Sequence, residues 1–246
     1  GRPGSPMPAW GAAGGGPLSS QQLDNVIDYL WSIQLTNDQM KAEVDGLIKS
    51  TDESLFKRLD MVRSANADNK TYVNDPASYE CPSTVGGTAS VGADGKPLEF
   101  KCLSTQDSLE LGEILFNSRP LASGAYGCAR CHVAGASYGK PWEPIDKIGT
   151  SRYAPSLLNV ADDMTPKQHF ALIMKGSENG KQYGVNHMGS GRMPGFGLNA
   201  NNGDTTVPQL GVSGMLGPEE VWSIMVYERN LSKERPDLAA AAATSK

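Results

Sequence analysis

Residues 126–135 read YGCARCHVAG. Cys128 and Cys131 stand one helical turn apart, and His132 follows directly. A C-x-x-C-H run is the spacing of c-type haem attachment. Two thiols a turn apart can add across the two vinyl groups of one porphyrin, and the adjacent imidazole is then held under the iron as an axial ligand. A bare C-x-x-C has two other readings, half of a zinc site or a redox disulfide. A structural zinc site needs further Cys or His in suitable pairs, whereas His169 and His187 are single and far apart. A thioredoxin-like motif follows a strand inside a βαβ pattern, and none is visible around Cys128.

The flanks carry further signals. Upstream, TQDSLELGEILFNS (105–118) places Leu109, Gly112 and Phe116 on one face of a short helix. Glycine inside a helix costs about 1 kcal/mol against alanine, so Gly112 predicts close approach of another helix. Downstream, TSRYAPSLLNV (150–160) puts Pro155 in a loop. GSGRMPGFG (189–197) then offers Met193 from a turn rich in glycine and proline. Last, LGPEEVWSIMVYERNLS (216–232) opens a helix, with Pro218 near its first position and Glu219 and Glu220 in its first turn. Val221, Ile224, Met225 and Tyr227 give that helix an apolar face.

Taken together, residues 106–233 resemble a class I cytochrome c domain. The resemblance covers about half of the chain. It implies a mainly α fold in which the terminal helices cross around one covalent haem, with Gly112 and Phe116 packed near Tyr227. It also implies haem c on Cys128 and Cys131, iron ligation by His132 and Met193, and a Pro155 carbonyl that orients the His132 ring and tunes its basicity. His187 and Met188 are the rival sixth ligands. Met193 is preferred because Pro194 and the flanking glycines form a turn able to present a side chain to a flat porphyrin. His169, in TPKQHFALIM (165–174), is expected to be a partly exposed helical residue.

The chain also contains a repeat. MPAWG (7–11) and MPGFG (193–197) each combine Met-Pro, a small residue, an aromatic and glycine, followed by a glycine-containing loop. Each is followed by a leucine, Leu18 or Leu216, and a helix with a tyrosine, Tyr29 or Tyr227, eleven residues after it. Ser19-x-x-Gln22 is a capping box for the first of these helices. Leu23, Val26, Ile27 and Leu30 form its apolar stripe. Residues 1–35 are therefore expected to be the C-terminal half of a first cytochrome c domain. Met7 would be its iron ligand, and a second haem c would be carried by the full-length protein.

Between these parts, residues 36–65 are polar and helix-prone, with Val44, Leu47, Ile48, Leu55 and Leu59 as a modest apolar face broken near Ser50 and Thr51. One or two linking helices are expected there. Residues 66–105 differ. TASVGADGKPLEFKC (88–102) predicts a small β-hairpin insert about Asp94-Gly95. Cys81 and Cys102 bracket it. A disulfide between them is expected, worth about 3 kcal/mol in the chain-entropy model, with two buried thiols as the alternative. Residues 234–246 are expected to be a flexible tail.

Composition narrows the function. The formal net charge of −5 disfavours nucleic acid as a partner. Haem attachment and a disulfide both point to an extracytoplasmic location, the periplasm or the outer face of the cytoplasmic membrane. No stretch approaches the roughly 20 apolar residues needed to span a bilayer, so any membrane association is expected through segments outside this chain. Filled axial positions suit one-electron transfer rather than catalysis. The resemblance implies redox protein partners: a quinol-oxidising complex, a dehydrogenase or a terminal oxidase. The alternatives are a dihaem oxidoreductase, peroxidase-like or thiosulfate-oxidising, and a haem subunit of a larger respiratory complex.

Overall fold

The protein is described by a computed structural model. It covers residues 9–32, 37–69, 78–117, 128–130, 132, 156–177, 184–185, 193, 195–197 and 216–234. The chain forms two compact units, 1–36 and 37–246. Among the described residues it is mainly α, with seven α-helices and no strand.

In the first unit, a 3-10 turn over Ala12–Gly14 leads to α1 (Ser20–Ser32). The turn closes because Gly15 takes a positive φ of 81°, a conformation that favours glycine. Leu18 N–H donates to the Trp10 carbonyl at 2.9 Å, and Gly11 and Leu18 form an isolated parallel bridge. The capping box forms as the sequence suggests. Gln22 N–H donates to Ser19 Oγ (3.3 Å), and Ser19 N–H donates to Gln22 Oε1 (2.9 Å).

The second unit opens with α2 (Asn37–Thr51) and α3 (Glu53–Asn66). Ser50 and Thr51 turn their hydroxyls back on the Leu47 carbonyl. Asp52 then leaves the helix in an extended conformation and caps α3, accepting the Leu55 N–H at 2.9 Å. The helix break expected near Ser50 and Thr51 thus has a local cause. Val44, Ile48, Leu55 and Leu59 are fully buried. The helices read as a linking segment therefore contribute core to this unit, each such residue being worth about 1.5–3 kcal/mol of burial.

The remaining helices are α4 (Thr105–Asn117), α5 (Val160–Asp163), α6 (Pro166–Lys175) and α7 (Pro218–Glu234). Helix α6 starts with a capping box of its own, Thr165 with Gln168, and Pro166 in the first turn. Helix α7 is the centre of the unit: every residue from Leu216 to Glu228 is buried. Helix α4 packs against it more extensively than any other described helix pair. The buried stripe of α4 is Ser108, Leu111, Gly112, Leu115 and Phe116. Leu109, placed on that face by the sequence, lies at its half-buried edge.

Cys81 and Cys102 are joined by a disulfide, with Cα atoms 5.8 Å apart. The segment between them does not form the two expected strands. Val91 and Pro97 make one isolated antiparallel bridge about the Asp94-Gly95 turn, where Gly95 has φ 77°. Proline supplies no N–H to extend a ladder. Val91 is exposed, so the side before the turn has no apolar residue to bury at the bridge. The anchored part of this segment is aromatic instead. Tyr79 stacks edge-on to Trp222 of α7 at 6.0 Å, and the Trp222 indole N–H donates to Thr84 Oγ1 at 2.8 Å.

Candidate haem site

Helix α4 enters the site through its contact with α7. A Cβ on Gly112 would lie 2.6 Å from Tyr227 Cβ and closer still to the Ser223 carbonyl oxygen. Only glycine allows the two backbones to approach this far. One turn later the Phe116 and Tyr227 rings meet at 5.4 Å, tilted by 52°. The Tyr227 hydroxyl lies 3.4 Å from Asn117 Nδ2. The pairing that the resemblance implied for Gly112, Phe116 and Tyr227 is thus present.

Helix α4 also packs on a 3-10 turn over Cys128–Arg130. His132 N–H donates to the Cys128 carbonyl at 2.8 Å, which closes one helical turn across the C-x-x-C-H run. Cys128 and His132 are both buried. The two residues are thereby brought onto one turn of backbone next to the α4–α7 contact.

Met193 is fixed separately, on the C-terminal side of α6. Met193 N–H donates to Ser177 Oγ at 3.0 Å, and Ser177 N–H donates to the Met193 carbonyl at 2.9 Å. The chain is then laced to α6 by Phe196 N–H on the Ile173 carbonyl (3.0 Å) and Gly197 N–H on the Met174 carbonyl (3.1 Å). It is joined to the start of α7 by Leu216 N–H on the Phe196 carbonyl at 3.1 Å. Gly197 leaves room here for the Met174 side chain, which a Cβ would displace. Met193 itself is half-buried. Cys131, Pro155 and Met7, and the rival ligands His187 and Met188, lie outside the described residues.

Cys, His and Met are the donor types that a haem c takes. The structure brings Cys128 and His132 together on one turn and holds Met193 on a separate loop. Among the described residues no group of three or more His, Cys, Asp or Glu side chains converges.

Charged side chains cluster at the start of α7. Arg63 of α3 bridges Asp45 (2.9 Å) and the fully buried Glu220. Burial pulls the Arg63 guanidinium down, but the Glu220 and Asp45 carboxylates outweigh it and raise its pKa. Asn66 Nδ2 donates to Glu219 Oε1 at 3.0 Å. Farther along, Arg229 reaches the Met164 (2.6 Å) and Ala161 (3.1 Å) carbonyls, and burial lowers its pKa against the opposing pull of Asp162.

His169 corrects the sequence expectation. It is buried, with Nε2 2.7 Å from Glu228 Oε2. Neither partner of that contact, nor the Ser177 clamp on Met193, stands out in the sequence, because each joins residues far apart in the chain. The Thr165-Pro-x-Gln168 capping box was open to view and fixes where α6 begins. No family model, curated protein or solved structure matches this chain.

Proposed function

We propose that the second unit is a haem-binding domain of the cytochrome c type and that its work is one-electron transfer. The observation that carries this is the α4–α7 contact, where Gly112 lets two backbones meet beside the turn bearing Cys128 and His132. Cys128 and Cys131 would hold a haem c covalently, and His132 and Met193 would be its axial ligands. When bound, the haem supplies exchange of one electron between ferric and ferrous iron with both axial positions filled.

The chain's own residues set the conditions for that exchange. The hydrogen bond from His132 N–H to the Cys128 carbonyl fixes the His132 backbone on the attachment turn. The Ser177 clamp holds the Met193 backbone at both its N–H and its carbonyl, so the loop that would offer the thioether is fixed where it leaves α6. Beside the buried Cys128 and His132, the packed α4–α7 contact would limit the access of water to a bound haem. Pro155 would orient His132, and Met7 would be a ligand of a second haem c. The disulfide between Cys81 and Cys102 supports an extracytoplasmic location. The partners would be redox proteins.

The test is expression with a c-type haem maturation system in the periplasm. A pyridine haemochrome assay should find covalent haem, lost in Cys128→Ala/Cys131→Ala. Met193→Ala should keep the haem and lose the weak sulfur-to-iron absorption band. The reduced parent protein should resist carbon monoxide, and ready binding would favour a redox enzyme instead. Absence of covalent haem, or a sulfur-to-iron band that survives Met193→Ala, would refute the assignment.

A further inference from the structure

The Cys81–Cys102 disulfide joins two unlike ends. Cys81 is only 1 % exposed, whereas Cys102 is partly exposed. Cys102 lies in residues 98–104, which have no regular structure and expose Glu99, Lys101 and Ser104. A thiolate attacks the disulfide sulfur that it can reach, so Cys102 takes the attack and Cys81 must leave. A buried thiolate is costly without a hydrogen-bond donor. Tyr79 supplies one. Its hydroxyl oxygen lies 3.1 Å from Cys81 Sγ and 3.2 Å from the Lys101 carbonyl. A disulfide sulfur carries no proton, so the hydroxyl is the donor of the pair. It can rest on the carbonyl while the bond is closed and turn to the sulfur as charge builds there.

Both ends are also held without the bond between the sulfurs. Asn66 Oδ1 accepts the Lys101 N–H at 2.8 Å and Asn66 Nδ2 donates to the Lys101 carbonyl at 3.0 Å, which fixes the residue before Cys102. Tyr79 is buried, with its ring centroid 5.3 Å from that of Phe100, 6.4 Å from Phe170 and 6.0 Å from Trp222. The Cys81 carbonyl accepts the Thr84 hydroxyl at 2.7 Å, and Thr84 Oγ1 accepts the Trp222 indole N–H at 2.8 Å. Opening the disulfide therefore leaves the two sulfurs near one another, and closing it again costs little chain entropy. A crosslink that only resists unfolding needs neither the donor nor the separate anchors.

We propose that Cys81–Cys102 is a reversible thiol–disulfide exchange site for a dithiol, attacked at Cys102. One thiolate of the dithiol bonds to Cys102 Sγ, and the bond between the two protein sulfurs breaks. Cys81 leaves as a thiolate that accepts the Tyr79 O–H and then takes a proton from solvent. The second sulfur of the dithiol, as its thiolate, displaces Cys102, which leaves as a thiolate and is protonated in turn. The dithiol loses two electrons and two protons and becomes a disulfide, and the protein disulfide gains them and becomes two thiols. Neither step involves a haem.

The test uses the full chain in native buffer. Reduced glutathione followed by rapid alkylation traps the mixed disulfide, and peptide mapping locates it and scores Cys128 and Cys131 separately. Glutathione on Cys102 with Cys81 alkylated should exceed the reverse at least about tenfold. Dithiothreitol should reduce the pair at a rate that low urea leaves unchanged, whereas reaction through global unfolding would rise more than about fivefold per molar. Tyr79→Phe should slow reduction at least about fivefold. Lost stability would speed reduction, so slowing isolates the hydroxyl. A C-x-x-C oxidoreductase lacking its second cysteine is run alongside. Its capture on Cys102 assigns a protein dithiol, and reaction with dithiothreitol alone assigns a small one. No reduction of the folded chain, equal trapping on both cysteines, a rate that climbs with urea, or a Tyr79→Phe rate at or above the parent's overturns the inference.

Discussion

Gly112→Ala places a methyl group where the structure has backbone. The new Cβ would sit 2.6 Å from Tyr227 Cβ and inside contact distance of the Ser223 carbonyl oxygen. Carbon atoms settle at about 3.5–4.0 Å, so α4 and α7 must part by roughly 1 Å. Neither obstacle can rotate aside, since one is backbone and the other is a Cβ. Overpacking of this kind costs about 1–3 kcal/mol, toward the upper end when nothing can yield. Alanine returns about 1 kcal/mol of helix propensity. The expected balance is a loss of about 1–2 kcal/mol. Gly46 is the control. It also lies inside a helix, α2, but a Cβ there meets nothing within 4 Å. Gly46→Ala should therefore gain about 0.5–1 kcal/mol. Urea unfolding followed by far-ultraviolet circular dichroism reads both. With a slope near 2 kcal/mol/M, the Gly112→Ala midpoint should fall by about 0.5–1 M, and the Gly46→Ala midpoint should rise. A Gly112→Ala protein that unfolds at or above the parent midpoint would show that the α4–α7 approach is not as close as described.

Two further outcomes can be measured. Cys81→Ser/Cys102→Ser opens a crosslink spanning 21 positions and should lower stability by about 3 kcal/mol; an unchanged urea midpoint would mean that the loop is held by its aromatic contacts alone. The Asp52 carboxyl is held below its ordinary value of 3.8 by the Leu55 N–H and then by the Ser54 hydroxyl. Its contribution is therefore complete above that value and is lost as pH falls through the lower folded one. Asp52→Asn keeps a capping oxygen that does not titrate, so its melting temperature should fall less than that of the parent between pH 4 and pH 2. Parallel curves over that range would contradict the role given to the carboxylate.

Local features were legible in the sequence wherever a few neighbouring residues decide the outcome. Gly112 announced a helix contact because glycine in a helix needs a reason. Ser19 and Gln22 announced a cap because both partners lie within one turn. Asp94-Gly95 announced the turn, but the two strands expected on either side of it do not form. Strand formation depends on a ladder and a buried face, and Pro97 and the exposed Val91 supply neither. The site was legible in part. Cys128 and His132 fall on one turn by spacing alone, whereas the hydrogen bonds between Ser177 and Met193 join loops 16 residues apart and depend on where α6 stops.

Helix α7 shows why the rest was hidden. Its apolar stripe predicts one buried face, yet Glu219, Glu220, Ser223 and Glu228 are buried as well. A carboxylate loses its hydration on burial and must be met by a donor. Each of these three glutamates has one: Asn66 for Glu219, Arg63 for Glu220 and His169 for Glu228. The donors come from α3 and α6, up to 157 positions away. Ser223 solves the same problem within the helix by donating to the Glu219 carbonyl. Such polar contacts add less to stability than an apolar face does, but they fix which helix lies where, because a slipped helix would leave a charge buried without a partner. In α7 the apolar residues drive burial and the glutamates set the arrangement. On the same arc of α7, between the glutamates that α3 and α6 meet, Ser223 and Tyr227 face Gly112 of α4.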